Sequence, residues 1–175
     1  MKPSIHLIIP MAGKGSRFTN GGFEIPKPLI SIYGKPMFYW AIQSVKKNIS
    51  IASLNIVVLN DHIVNFNIDK IILDLFPEAK IQVLPEVTKG AVITCLNGVE
   101  YINDNEPIVF NDCDHYFYSS KFYNFFTKKV PANLLGLLLT FKSNSPNYSY
   151  IKYNTNDEII NIVEKQVISD DAICG

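Results

Sequence analysis

Two short stretches carry residues whose types and spacing could do chemistry on phosphates. In Pro10-Met11-Ala12-Gly13-Lys14-Gly15-Ser16-Arg17-Phe18, a glycine-rich turn follows directly on the apolar run Ile5 to Ile9. Such a turn after a buried strand lets backbone N–H groups converge on phosphate oxygens. Gly13 and Gly15 allow backbone angles and close approaches that a side chain would block. The pattern is not a P-loop, because Lys14 follows Gly13 without the required spacer. Nor is it a dinucleotide fingerprint, since Phe18 stands where a third glycine or alanine is needed. Further on, Pro26-Lys27-Pro28-Leu29 sets a lysine between two prolines, which limits the backbone freedom lost on fixing it. Arg17 offers a planar fork to phosphate oxygens and Lys27 a point charge. Attack on the α-phosphorus of a triphosphate builds negative charge on the equatorial oxygens and on the departing pyrophosphate. That chemistry requires cations placed in advance.

The second stretch is Asn111-Asp112-Cys113-Asp114-His115, after the apolar run Pro107 to Phe110. Carboxylates at the C-terminal end of a strand lie where open α/β sheets bind ligands. Asp112 and Asp114, spaced i, i+2, would share one face of an extended strand. Hard oxygen ligands beside a triphosphate point to Mg²⁺, which takes one or two protein carboxylates and completes its shell with phosphate and water. Turn capping by the same carboxylates is the competing reading, and it weighs more on Asp112 than on Asp114. Cys113 and His115 have no further soft partners at ligand spacing, which argues against zinc.

These stretches need elements to hold them, and apolar runs alternate with amphipathic segments along the whole chain. Ile5–Ile9 reads as a strand buried on both faces, and Leu54–Leu59, Lys80–Leu84 and Pro107–Phe110 read as further strands. Helices are expected from Lys35-Pro36 to about Lys47, with proline in the first turn, and at about Asn67–Phe76, Ala91–Tyr101 and Lys121–Thr127. Asn133 to Phe141 is the longest apolar run. Tyr148–Tyr153 and Glu158–Val163 read as strands flanking the turn Asn154–Asp157, and Ile173-Cys174-Gly175 as the approach to another strand. The alternation predicts an α/β fold with a mostly parallel sheet and a mixed region at the end.

Composition narrows the partners. The chain has 175 residues, 47% hydrophobic and 18% charged, with a formal net charge of +0. That is a single-domain length with an ordinary core, and no broad basic face for nucleic acid. Cys95, Cys113 and Cys174 are an odd set at no metal-ligand spacing, as expected of free thiols in a reducing cytoplasm. No stretch reads as a signal peptide or a membrane span.

The run IIPMAGKGSRF…GGFEIPKPLISIYGKPM closely resembles the N-terminal signature of the nucleotidyltransferase family that makes nucleotide-activated sugars, in its Met-Ala-Gly-x-Gly-Ser-Arg-Phe branch. The resemblance implies a Rossmann-like three-layer α/β/α fold with a mixed, mostly parallel central sheet, shared with many glycosyltransferases. It assigns Arg17 and Lys27 to the triphosphate and Met11, Ala12, Gly13, Lys14, Gly15 and Ser16 to the backbone cradle. It implies a metal-binding aspartate at Asp114, with Asp112 beside it. Pro85-Glu86-Val87-Thr88-Lys89-Gly90 is similar to the family's nucleobase loop, giving roles to Pro85, Glu86 and Gly90, although Glu86 and Lys89 read equally well as exposed loop charges. Tyr148, Glu164 and Lys165 resemble the acceptor-binding motifs, with Ser149 and Gln166 replacing the usual glycine and proline. Those departures leave the acceptor open between a sugar-1-phosphate and a non-sugar phosphate used with CTP.

The resemblance thus implies a Mg²⁺-dependent cytoplasmic enzyme serving surface polysaccharide synthesis. Its partners would be a nucleoside triphosphate and a phosphorylated small molecule, with no nucleic acid or membrane, and a homo-oligomer stays open. Family members usually continue past this point to supply a second metal-binding aspartate, so residues 1–175 read as one domain lacking its C-terminal portion. Two other readings stand beside this one. Asp112-Cys113-Asp114 also fits the Asp-x-Asp pattern of glycosyltransferases, which would have no need of Arg17 and Lys27, and a non-catalytic nucleotide-binding domain is the third.

Overall fold

The computed structural model describes residues 4–15, 18, 21–100, 102, 105–128, 130–131, 133–156 and 158–174. The chain divides into two compact units, Met1–Val130 and Pro131–Gly175.

The first unit is built on a parallel sheet. Its strands are β1 (Ser4–Met11), β4 (Ser50–Leu59), β5 (Lys80–Leu84) and β6 (Ile108–Phe110), in the order β5-β4-β1-β6. All neighbouring pairs are parallel. Ile5, Leu7, Ile8 and Ile9 are all fully buried, so β1 is covered on both faces, as its unbroken apolar run predicts. On one face Leu7 pairs with Leu54 and Ile9 with Ile56. On the other, helix α4 (Ala91–Gly98) lies close enough that a Cβ on Gly98 would sit 2.5 Å from Cγ2 of Ile8. Only glycine fits there.

The remaining helices are α1 (Met37–Lys46), α2 (Asn60–Phe66), α3 (Ile68–Leu75) and α5 (Ser120–Phe125). In α1, Phe38, Ala41, Ile42 and Val45 are buried, the helical spacing expected from the sequence. The helix begins later than expected, however. Lys35-Pro36 forms β3 instead, pairing antiparallel with β2 (Ser31–Ile32) across a Tyr33-Gly34 turn. Pro36 is thus the N-cap, in extended conformation, and Trp40 Nε1 donates to Ile32 O at 2.7 Å to fasten the hairpin to α1. The helix expected at Asn67–Phe76 is preceded by a second one, α2. Asn67 separates the two in the left-handed conformation, which asparagine tolerates better than most residues. Ser119 caps α5 by accepting from the Phe122 N–H.

The second unit holds an antiparallel sheet of its own, in the order β7-β10-β8-β9. Its strands are β7 (Thr140–Lys142), β8 (Ser149–Tyr153), β9 (Ile159–Glu164) and β10 (Asp171–Ile173). The mixed region expected at the chain's end is therefore a separate sheet. The apolar run Asn133–Phe141 is mostly not strand. It opens in a turn, with Leu134 N–H donating to Pro131 O, and only its last residues pair with β10. Among the described residues, no helix is long and apolar enough to cross a membrane.

Candidate active site

The strand order places β1 between β4 and β6, and the chain's progression across the sheet reverses between β1 and β6. The crevice outside the C-terminal ends of two such strands is where open α/β sheets bind ligands. Both chemical stretches start there. Met11 ends β1 and is buried, Ala12 is buried behind it, and Gly13 and Lys14 emerge into solvent. Gly15 turns the chain with φ +60°, and a Cβ there would meet Lys27 Cβ at 3.2 Å. The glycine thus lets the loop backbone close onto the lysine. Ser16 and Arg17 lie outside the described residues.

Lys27 opens a 3₁₀ turn, Lys27–Leu29, with Pro28 buried. Leu29 N–H donates to Pro26 O, and Ile30 N–H to Lys27 O. The turn is anchored to α1 through Met37 N–H, which donates to Ile30 O at 2.9 Å. The Lys27 ammonium lies 5.6 Å from the Phe18 ring centroid, within cation–π range. Its ion partner is Asp114, with Nζ 2.6 Å from Oδ2, and about three-quarters of each side chain is out of water.

The other half of the site hangs from Asn111, which is 3% exposed. Its N–H donates to Ile8 O at 3.1 Å, extending the β1–β6 pairing by one bond. Its Nδ2 donates to Ala41 O of α1 at 3.2 Å and to His115 O at 3.1 Å. Helix α1 therefore braces both the lysine turn and the carboxylate turn. Beyond Asn111 the chain is not extended, contrary to the i, i+2 strand geometry expected for Asp112 and Asp114. His115 N–H donates to Asp112 O at 3.2 Å, closing a turn. The turn still gathers the groups, since one ligand atom each of Asp112, Asp114 and His115 lies within 4.8 Å of the others. Two carboxylate oxygens and an imidazole nitrogen at that spacing fit a divalent ion. Cys113 points inward instead. Burial pushes its thiol up to about 12, and burial with the nearby Asp112 charge pushes Cys95 on α4 to about 11. Neither is a thiolate at neutral pH.

The remaining expected residues fall elsewhere. Pro85, Glu86 and Gly90 form an exposed loop after β5, the strand at the opposite edge of the sheet from β6. Gly90 is the N-cap of α4, and the Thr88 hydroxyl donates to Gly90 O and bonds the Thr94 hydroxyl there. Tyr148, Glu164 and Lys165 come together within the second unit. Lys165 N–H donates to Tyr148 O at 3.0 Å, and Lys165 Nζ is 2.8 Å from Glu164 Oε1. Lys165 takes a φ of 54°, an uncommon conformation for a lysine. Three contributors escaped the sequence reading: Asn111 as brace, Phe18 as ring beneath the ammonium, and His115 as a partner of the carboxylates. An asparagine just after a strand-forming apolar run was the one visible signal for the first.

A loop lysine and strand-end carboxylates meet at the switch point of a parallel sheet, the ligand-binding crevice of an open α/β protein. The family model for nucleotidyl transferases matches residues 7–169, and the chain belongs to that family of enzymes. No curated protein sequence matches the chain. Among solved structures it is similar to a nucleoside-diphosphate-sugar pyrophosphorylase from Vibrio cholerae RC9, at 21% identity and TM-score 0.73, covering 95% of this chain and 70% of that one. It is also similar to a structure from Bacillus anthracis assigned as a glucose-1-phosphate thymidylyltransferase, at 21% identity and TM-score 0.75, covering 98% and 70%. An inositol-1-phosphate CTP transferase from T. maritima matches at 16% identity and TM-score 0.73, covering 100% and 69%. At these identities the likeness establishes the fold.

Proposed function

We propose that this enzyme condenses a nucleoside triphosphate with a phosphorylated small molecule, giving a nucleotide-activated product and pyrophosphate. The observation that carries the reading is the meeting of Lys27 with Asp114 at 2.6 Å, at the C-terminal ends of β1 and β6. An oxygen of the acceptor phosphate attacks the α-phosphorus in line. A new P–O bond forms, the bond to the β-phosphate oxygen breaks, and pyrophosphate leaves with the electron pair. Lys27 and Arg17 offset the charge that grows on the phosphate oxygens, and backbone N–H groups from Met11 to Ser16 cradle them. Asp114 and Asp112 would hold Mg²⁺, which when bound neutralises triphosphate charge. Pro85, Glu86 and Gly90 are the proposed base contacts, and Tyr148, Glu164 and Lys165 the acceptor contacts.

The acceptor is a sugar-1-phosphate or, with CTP, a non-sugar phosphate. The named activities of the similar structures span both kinds of product. We place the reaction in the cytoplasm, in the supply of precursors for surface polysaccharide. The test is to incubate the protein with each triphosphate, Mg²⁺ and candidate phosphorylated acceptors while measuring pyrophosphate. Release that needs one triphosphate and one acceptor together is expected. Glycosyl transfer from a nucleotide sugar, with no pyrophosphate from any pair, would reject the proposal.

A further inference from the structure

Lys27 and Asp114 have been given separate tasks, one on phosphate and one on metal, yet they occupy each other. The ammonium lies 2.6 Å from Oδ2 of the carboxylate expected to hold the ion. Nor is the lysine free to swing at random. Its Cβ is packed against Gly15, its backbone is fixed in the 3₁₀ turn beside buried Pro28, and its ammonium faces the Phe18 ring. Asp112 and His115 stand within 4.8 Å of Asp114, so a cation seated among the three would meet the ammonium at close range. A divalent ion and an ammonium sharing one carboxylate repel, and partial burial weakens the screening of that repulsion.

We infer that Lys27 is a competitive occupant of the metal site, displaced when a triphosphate offers its ammonium a better anion. This rests on the phosphate and metal roles proposed above. Free divalent ion then binds the nucleotide-free protein weakly, because Asp114 is available only in the minor state in which Lys27 has let go. The phosphates of an arriving nucleotide draw the ammonium away and release the carboxylate, so metal and nucleotide raise each other's affinity. The species this site accepts is the divalent–triphosphate complex. Metal followed by nucleotide is the disfavoured order.

The experiment titrates Mn²⁺ alone into nucleotide-free protein and follows the free-ion paramagnetic resonance signal. The proteins are the wild type, Lys27→Met, Lys27→Arg, and Lys27→Met combined with Asp114→Asn. Expected is an affinity about tenfold tighter in Lys27→Met, as for a site otherwise open about one-tenth of the time. Lys27→Arg, which keeps the cation, stays within about twofold of wild type, and adding Asp114→Asn abolishes the gain. Unchanged or weaker Mn²⁺ binding in Lys27→Met, or no binding in any protein, overturns the inference. Pyrophosphate release by the wild type is scored separately. Activity without the Mn²⁺ effect rejects the competition alone. The Mn²⁺ effect without activity supports the competition and rejects the proposed reaction.

Discussion

The chain pairs a lysine with a carboxylate in two settings that share a chemistry and little else. Lys27 and Asp114 are remote in sequence, each about one-quarter exposed, and meet because β1 and β6 are neighbours in one sheet. Lys165 and Glu164 are adjacent in sequence, 64% and 72% exposed, at the end of an antiparallel strand. The first contact is a product of the tertiary fold and is poorly screened. The second joins sequence neighbours where the left-handed Lys165 ends the strand, and it lies mostly in water, where such pairs contribute little to stability. What fixes Lys165 is its backbone bond to Tyr148, whereas Lys27 is held by its 3₁₀ turn, the close approach of Gly15 and the Phe18 ring. The difference matches the two roles proposed above, a pre-placed cation at Lys27 and an exposed acceptor contact at Lys165.

The comparison breaks most visibly in turnover. Lys27→Ala and Arg17→Ala should each lower kcat about 100-fold or more, as expected for loss of one transition-state donor. Lys165→Ala should act mainly on the KM for the acceptor, with kcat held within a few-fold. Steady-state kinetics with both substrates varied separates the cases. Equal kcat losses at Lys27 and Lys165 would mean that both lysines act on the transition state.

A smaller effect tests how the buried pair is positioned. Asn111→Ala removes two hydrogen bonds, to Ala41 O and His115 O, made by a residue that is 3% exposed, while Ala41 O keeps the Ser44 hydroxyl as a donor. Each lost hydrogen bond contributes about 0.5–1.5 kcal/mol, so the urea midpoint should fall accordingly. The carboxylate turn loses its brace at the same time, and Mn²⁺ affinity measured with nucleotide present should weaken. A stability loss with unchanged Mn²⁺ affinity would make Asn111 a core residue only.

The contrast between the two regions also explains what the sequence could disclose. The central parallel strand was legible because burial on both faces demands an unbroken apolar run, and Ile5–Ile9 falls inside the observed strand; Lys80–Leu84, half-exposed at the sheet edge, matches the observed strand as well. The β2–β3 hairpin was not, since Tyr33-Gly34 reads as loop punctuation and Pro36 suits a first helical turn as well as an N-cap. The break at Asn67 was hidden because nothing local requires a left-handed residue there. Arg17 and Lys27 stood out by residue type alone. That Lys27 would meet Asp114 did not, because the pairing depends on strand order, which no local pattern encodes.

The smallest expected effect falls on the exposed pair. The hydrogen bond and charge of Lys165 hold the Glu164 carboxyl below its ordinary value of 4.5. A carboxylate with a lowered folded-state pKa adds stability above its unfolded value and loses it as pH falls through the folded one. If the pair stabilised the fold, wild type and Glu164→Gln would differ in thermal midpoint at neutral pH and converge in acid. With both side chains mostly in water, solvent screening should erase that difference. The two midpoints are expected to coincide from neutral pH down through the acid range in which this carboxyl, held below its ordinary value, takes up its proton, at both low and high salt. A neutral-pH gap that closes in acid and shrinks with salt would show that Glu164 and Lys165 form a structural clasp. The difference from Lys27 and Asp114 would then be one of degree, and the proposed acceptor role of Lys165 would lose its main physical support, which is that its ammonium is exposed and only weakly held by Glu164.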